Sequence, residues 1–217
     1  MLQERYVTRR RMFDWVEPSV IVRDVRGGPD LVCKYAIHSA GQELSVCSGR
    51  SPHEEAFRCS LRDFVERGAC DILLHDGTKI GSIHRDFGTT LYGPVWTLRS
   101  ADGAVAATLR ERTPRSAFVR RAFKLTTLVP QVYDMESTDG VVFASFAEDF
   151  SLMSYRLRVG VARTGPAAAG GELEVWVLAV ACVLAGFEGR PIPEIRLLLN
   201  RAAGNDHGWE WFRGSQR

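Results

Sequence analysis

The stretch EVWVLAVACVLAGFEG, Glu174 to Gly189, decides the fold. From Val175 to Phe187 it carries no charge. A membrane-spanning helix needs roughly 20 apolar residues at about 1.5 Å each; this run is shorter and is bounded by Glu172, Glu174, Glu188 and Arg190. It has no polar face, so it does not fit a helix lying in the membrane interface. Apolar and polar residues do not alternate, and Ala, Leu and Trp stand among the valines over a length beyond an ordinary strand. What remains is a helix over about 172–187 that is apolar all round, and such a helix must be buried. Its predicted core positions are Val175, Trp176, Leu178, Ala179, Ala181, Cys182, Val183 and Leu184.

Whatever encloses that helix must come from the rest of the chain, where the recurring signals are strands. DILLHDGTKIGSIHRD (Asp71 to Asp86), VWTLRSADGAVAATLRER (Val95 to Arg112) and VYDMESTDGVVFASFAED (Val132 to Asp149) each place an Asp-Gly pair between runs of rough apolar alternation. Asp76-Gly77, Asp102-Gly103 and Asp139-Gly140 tolerate the left-handed dihedrals of tight hairpins. A weaker fourth hairpin, SVIVRDVRGGPDLVCKYAI, turns near Arg26–Asp30. Further strand candidates are Glu43–Cys47, Phe57–Val65, Phe118–Leu128 and Ser151–Val161. FRCSLRDFVERG also carries a helical spacing, but the alternation of Phe57, Cys59 and Leu61 favours a strand. The hairpins recur unevenly, which excludes a solenoid or a propeller. A closed barrel removes sheet edges, and its height matches an apolar helical run of roughly 20 Å. The predicted fold is therefore mainly β with one buried helix. It is a closed antiparallel barrel around a central hydrophobic helix, with RTGPAAAGG, Arg163 to Gly171, leading the chain inside. Residues 1–190 form this single domain, and 191–217 form a C-terminal extension with a short helix at Pro193–Ala203 and a tail.

The 217 residues carry a net charge of +2. Roughly +5 falls on Met1–Pro130 and roughly −4 on Gln131–Arg190, a mild asymmetry that favours an anionic partner surface only weakly. The five cysteines, Cys33, Cys47, Cys59, Cys70 and Cys182, are widely spaced with no CxxC pair, and Met1–Val20 is too polar for a secretory leader. Free, partly buried thiols in a reducing, cytoplasmic compartment are the expectation.

The order of these features resembles the Tubby C-terminal-like fold, and more narrowly the LURP-one-related and phospholipid-scramblase-like group. RRRMFDW near the start, the hairpins DGTKIGSI and DGAVAATL, then YDMESTDGVVFASF and LEVWVLAVACVLAGFEG carry the resemblance over about Leu2 to Gly189. It implies a barrel of about twelve strands around a central C-terminal helix, and it implies no single activity. Tubby-type members bind phosphoinositides, scramblase-like members are linked to membranes, and many LURP-one-like members have no assigned function. The proline-rich leader, cysteine cluster and calcium segment expected of scramblases are missing here, and Tubby's basic phosphoinositide residues have no counterpart by motif.

Catalytic signatures are missing from the sequence. His38, His53, His75, His84 and His207 form no metal-ligand spacing. His75 and His84 lie on opposite arms of one predicted hairpin, with Asp71, Asp76 and Asp86 nearby, which is the best place for acid–base chemistry if there is any. Cys47 with His53 has no identifiable third group to orient a nucleophilic pair. No nucleophile elbow, P-loop or dinucleotide fingerprint occurs. No catalytic residue, metal or cofactor is therefore assigned, and an enzyme is the least favoured reading. Basic residues offer a site instead. Arg9, Arg10 and Arg11 form one group; Arg115, Arg120, Arg121 and Lys124, with Phe118 and Phe123 among them, form a second. Such a patch suits anionic phospholipid headgroups, each surface cation contributing about 1 kcal/mol, although strand alternation alone also puts Arg out and Phe in. Nucleic acid is disfavoured because stacking aromatics and known modules are missing. The sequence thus predicts a barrel that binds anionic lipid at a membrane periphery. The alternative is a protein-interaction module without membrane contact, with WEWF, Trp209 to Phe212, docking on its own domain or on a partner.

Overall fold

The computed structural model describes residues 2–11, 19–38, 41–48, 51–60, 69–86, 95–115, 130–149, 154–162 and 172–187. The strands are β1 (Leu2–Arg11), β2 (Ser19–Asp24), β3 (Leu31–His38), β4 (Gly41–Ser48), β5 (Ser51–Ser60), β6 (Ala69–Leu74), β7 (Lys79–Asp86), β8 (Val95–Ser100), β9 (Val105–Glu111), β10 (Val132–Ser137), β11 (Val142–Asp149) and β12 (Ser154–Ala162). One helix follows, α1 (Glu172–Phe187). Each strand pairs antiparallel with its neighbour in sequence, and β1 pairs with β12, so the sheet closes on itself. Among the described residues this is the predicted barrel of twelve strands around one helix. β1 was not among the predicted strands. The Phe118–Leu128 candidate and the C-terminal extension lie outside the described residues.

The three Asp-Gly hairpins share one geometry. Gly77 N–H donates to the Leu74 carbonyl at 2.9 Å, and Gly103 and Gly140 do the same to Ser100 and Ser137 at 2.9 and 3.0 Å. The glycines have φ of 86°, 86° and 76°, a left-handed conformation that a side chain would strain. Each left-handed glycine is the bulge of its three-residue loop, and a second bulge lies further along each hairpin, where Ile80, Ala106 and Phe143 are extra residues opposite Ile72/Leu73, Leu98/Arg99 and Met135/Glu136. These turns, the β2–β3 turn and the start of α1 lie at one end of the barrel. The C-terminal ends of β1, β7, β9 and β11 lie at the other.

Strand alternation faces the core as expected: Trp96 and Leu98 on β8, Tyr133 and Met135 on β10, Leu157 and Val159 on β12 are all buried. Every residue of α1 from Trp176 to Ala185 is buried, including Leu178, Ala179, Ala181, Cys182, Val183 and Leu184. Val175 is half-buried against the same core. The helix leans on β1, β2 and β12. Near its start, the Glu174 carboxylate accepts hydrogen bonds from Arg5 Nη2 (2.6 Å) and from the Tyr6 hydroxyl. A carboxylate in the first turn complements the helix dipole. The Arg5 guanidinium also lies 5.1 Å from the Tyr6 ring centroid. On the far wall, the Trp176 ring lies against Gly81 of β7 so closely that a Cβ there would sit 2.2 Å from the ring.

Candidate anion-binding face

Among the outward positions of β2, β1, β12 and β11, two adjacent rows across the barrel carry the arginines. One row runs Ile21, Arg9, Arg156, Asp149; the next runs Arg23, Val7, Arg158, Ala147. Arg9 therefore stands directly opposite Arg156, two guanidinium-bearing residues on adjacent strands. Arg9 is exposed, and it makes no ion pair among the described residues. Arg156 and Arg158 share one carboxylate, Asp149, at 3.5 and 4.0 Å. Arg23 is held by Asp30 at 3.1 Å, and the hydrogen bond and charge of Asp30 raise its pKa above the usual arginine value. These two rows thus present four guanidiniums, with Asp149 and Asp30 as their paired carboxylates, and Glu4 stands exposed one row further along β1, opposite Gly160.

Arg9, Arg10 and Arg11 all lie on β1, opposite Arg156, Tyr155 and Ser154 respectively. Arg115 is exposed just beyond β9, at the same end of the barrel as Arg11, with β12, β11 and β10 standing between β1 and β9 in the sheet. Arg120, Arg121 and Lys124 lie outside the described residues. Arg156 and Arg158 were not in the predicted patch. Their signal was the two-step alternation of YRLRV, which puts both arginines on the face away from Leu157 and Val159.

The hairpin favoured for acid–base chemistry is built differently from the expectation. His75 and His84 are not neighbours across it: the turn at 75–78 sets the register so that His84 opposes Ala69, while His75 stays in the turn. His84 Nε2 instead meets Ser82 Oγ at 2.9 Å, on the same strand face two residues apart. Partial burial, then the nearby Arg99 charge, lowers the His84 pKa, against the pull of Asp71. Asp71 is engaged by Lys79 Nζ at 2.7 Å, and the Asp76 carboxylate accepts the Thr78 N–H at 2.8 Å. Both carboxylates therefore have structural work within the hairpin. The five cysteines are buried and free. Burial, then contact with the Cys182 thiol, raises the Cys33 pKa; contact with Cys70, then burial, raises that of Cys59. Thiols in such surroundings stay protonated and poorly nucleophilic.

Among the described residues, no three His, Cys, Asp or Glu side chains are grouped to hold a metal ion, and no helix is long and apolar enough to cross a membrane. The fold defines a class: a closed twelve-stranded antiparallel barrel around a central helix, the general shape of the Tubby-like fold. No family model matches the chain, and no curated protein matches it.

Proposed function

We propose that this barrel binds the anionic headgroups of membrane phospholipids through the outward face of β1 and β12. One observation carries the reading: Arg9 and Arg156 are direct cross-strand partners, with Arg158 beside them. Like charges placed directly opposite each other destabilise a sheet, and an anion between them removes the repulsion. The residues lie on an outward sheet face, so they can meet an extended anionic surface. With about 1 kcal/mol from each cation near such a surface, binding is weak, reversible and sensitive to salt. Arg11 and Arg115 lie at the same barrel end, and Arg10, Arg120, Arg121 and Lys124 join the proposal from the sequence alone. On this reading the protein acts at the membrane periphery.

Sedimentation with phosphatidylcholine vesicles, with and without phosphatidylserine, tests it at low salt. The protein should pellet only with the phosphatidylserine vesicles and be released by salt, and Arg9→Gln combined with Arg156→Gln should remove most of the binding. Equal pelleting with both vesicle types, or a double variant that binds like the wild type, would refute the proposal.

A further inference from the structure

The two carboxylates paired with these guanidiniums, Asp30 and Asp149, are held very differently. Arg23 grips Asp30 with both Nε (3.2 and 3.4 Å) and Nη2 (3.1 Å). Elsewhere on the barrel, Arg112 grips Asp134 through two bonds of 2.7 and 2.6 Å and adds a third to Ser145. Those are forked, charge-assisted pairs. Asp149 lies 3.5 Å from Arg156 and 4.0 Å from Arg158, too far for a hydrogen bond to either, and its side chain is 39% exposed. A loose surface pair of this kind contributes little to stability. Yet Asp149 sits in register with Arg156, at the end of the row that also holds Arg9. It is the carboxylate that faces Arg156 and Arg158, two of the three guanidiniums an incoming anion would use.

We propose that Asp149 is an exchangeable counterion of the basic face, standing in the free protein where a lipid phosphate stands in the bound one. This rests on the headgroup-binding reading above and adds a built-in competitor to it. An incoming phosphate must displace Asp149 or share its two arginines with it. Asp149 therefore sets the affinity at a level that makes binding depend on the anionic lipid density of the membrane.

The test compares two substitutions that change net charge equally. Asp149→Asn removes the counterion. Asp139→Asn removes a carboxylate from the turn at the opposite end of β11, about 23 Å away along the strand. With phosphatidylcholine vesicles carrying graded phosphatidylserine, Asp149→Asn should bind about fivefold more tightly than wild type, the equivalent of one freed cation. Asp139→Asn should stay within about twofold, and Asp149→Glu should bind like wild type; circular dichroism and thermal melts confirm that each variant is folded. Equal effects of Asp149→Asn and Asp139→Asn would reduce the result to bulk charge and overturn the counterion role. Wild-type binding that needs Arg9 and Arg156 but is unchanged by Asp149→Asn also overturns it, while leaving the face intact. If wild type and every variant ignore phosphatidylserine, the headgroup reading falls, and the counterion role falls with it.

Discussion

Gly81→Ala should be among the most damaging single-methyl additions in this protein. The Cβ it introduces would lie 2.2 Å from Trp176 Cη2 and Cζ2 and 2.3 Å from the Arg99 carbonyl oxygen. Ordinary contacts to such atoms are more than 1 Å longer. The ring cannot move aside freely, because Trp176 is only 5% exposed and sits in the packed core. The carbonyl cannot move freely either, because Arg99 pairs with Ser82 in the β7–β8 ladder. Overpacking typically costs 1–3 kcal/mol, and two immobile obstacles put this site at the upper end, about 3 kcal/mol. For a chain of this size that is a fall in Tm of about 6–12 °C. Thermal and urea denaturation followed by circular dichroism measure it. A double-mutant cycle with Trp176→Leu then identifies the cause: with the ring gone, Gly81→Ala should cost about 1–2 kcal/mol less than it does in wild type. A Gly81→Ala melt within 2 °C of wild type, or strict additivity of the two substitutions, refutes the argument that Trp176 is seated on the Gly81 backbone.

Three further outcomes are expected. The Tyr6 phenol is held well above its usual pKa of about 10 by burial first and then by Glu174. The folded state therefore keeps a proton that the unfolded state loses, so this contribution is full below about pH 10 and is lost as the pH rises beyond it. The wild-type Tm should fall more steeply between about pH 9.5 and 11.5 than that of Tyr6→Phe; parallel curves would count against it. Ala181→Asp places a charge at a fully buried position of α1 and should abolish cooperative folding, as should Leu178→Asp; a native-like melt of either variant would contradict the helix placement. Finally, Asp76 and Asp102 accept the N–H of Thr78 and Ala104 at 2.8 and 3.1 Å, whereas the Val141 N–H goes to Ser137 Oγ at 3.3 Å and leaves the Asp139 carboxylate without a hydrogen bond among the described residues. On ageing, peptide mapping should find isoaspartate at Asp139-Gly140 before the other two Asp-Gly pairs, and equal conversion at all three would defeat the argument.

The fold was legible where one local rule acted alone. An apolar run too short to span a membrane and without a polar face had to be an enclosed helix, and Asp-Gly between alternating runs had to be a hairpin. β1 was not legible because its apolar content is thin. Its buried side chains include Tyr6 and Thr8, and the outward positions include Arg9, so the segment reads as a charged leader until β12 pairs with it. The position of His84 depended on a register that the turn sets and the hairpin's composition does not reveal. Arg156 and Arg158 could have been found by applying to β12 the alternation already used to predict it. The opposition of Arg156 to Arg9 could not, because the first and last strands meet only when the barrel closes. The seat of Trp176 on Gly81 was hidden for the same reason.

That closure also separates stability from function at Arg156. The lumen is taken by α1, so the outward rows are the part of this wall that a partner can reach. A sheet selected only for stability would set a carboxylate against Arg9; this one sets another arginine there. Cross-strand charge pairs contribute roughly 0.2–1 kcal/mol, favourable or unfavourable according to sign. Arg156→Gln should therefore raise the Tm, by about 1–3 °C, because the repulsion it removes outweighs the loose contact with Asp149. The same substitution should weaken binding to phosphatidylserine vesicles. An arginine kept for packing would lower both when replaced, and an arginine without a role would change neither. A higher Tm together with weaker binding is the joint result expected of a residue that recruits an anion at the expense of the fold, and a lower Tm for Arg156→Gln would break that link.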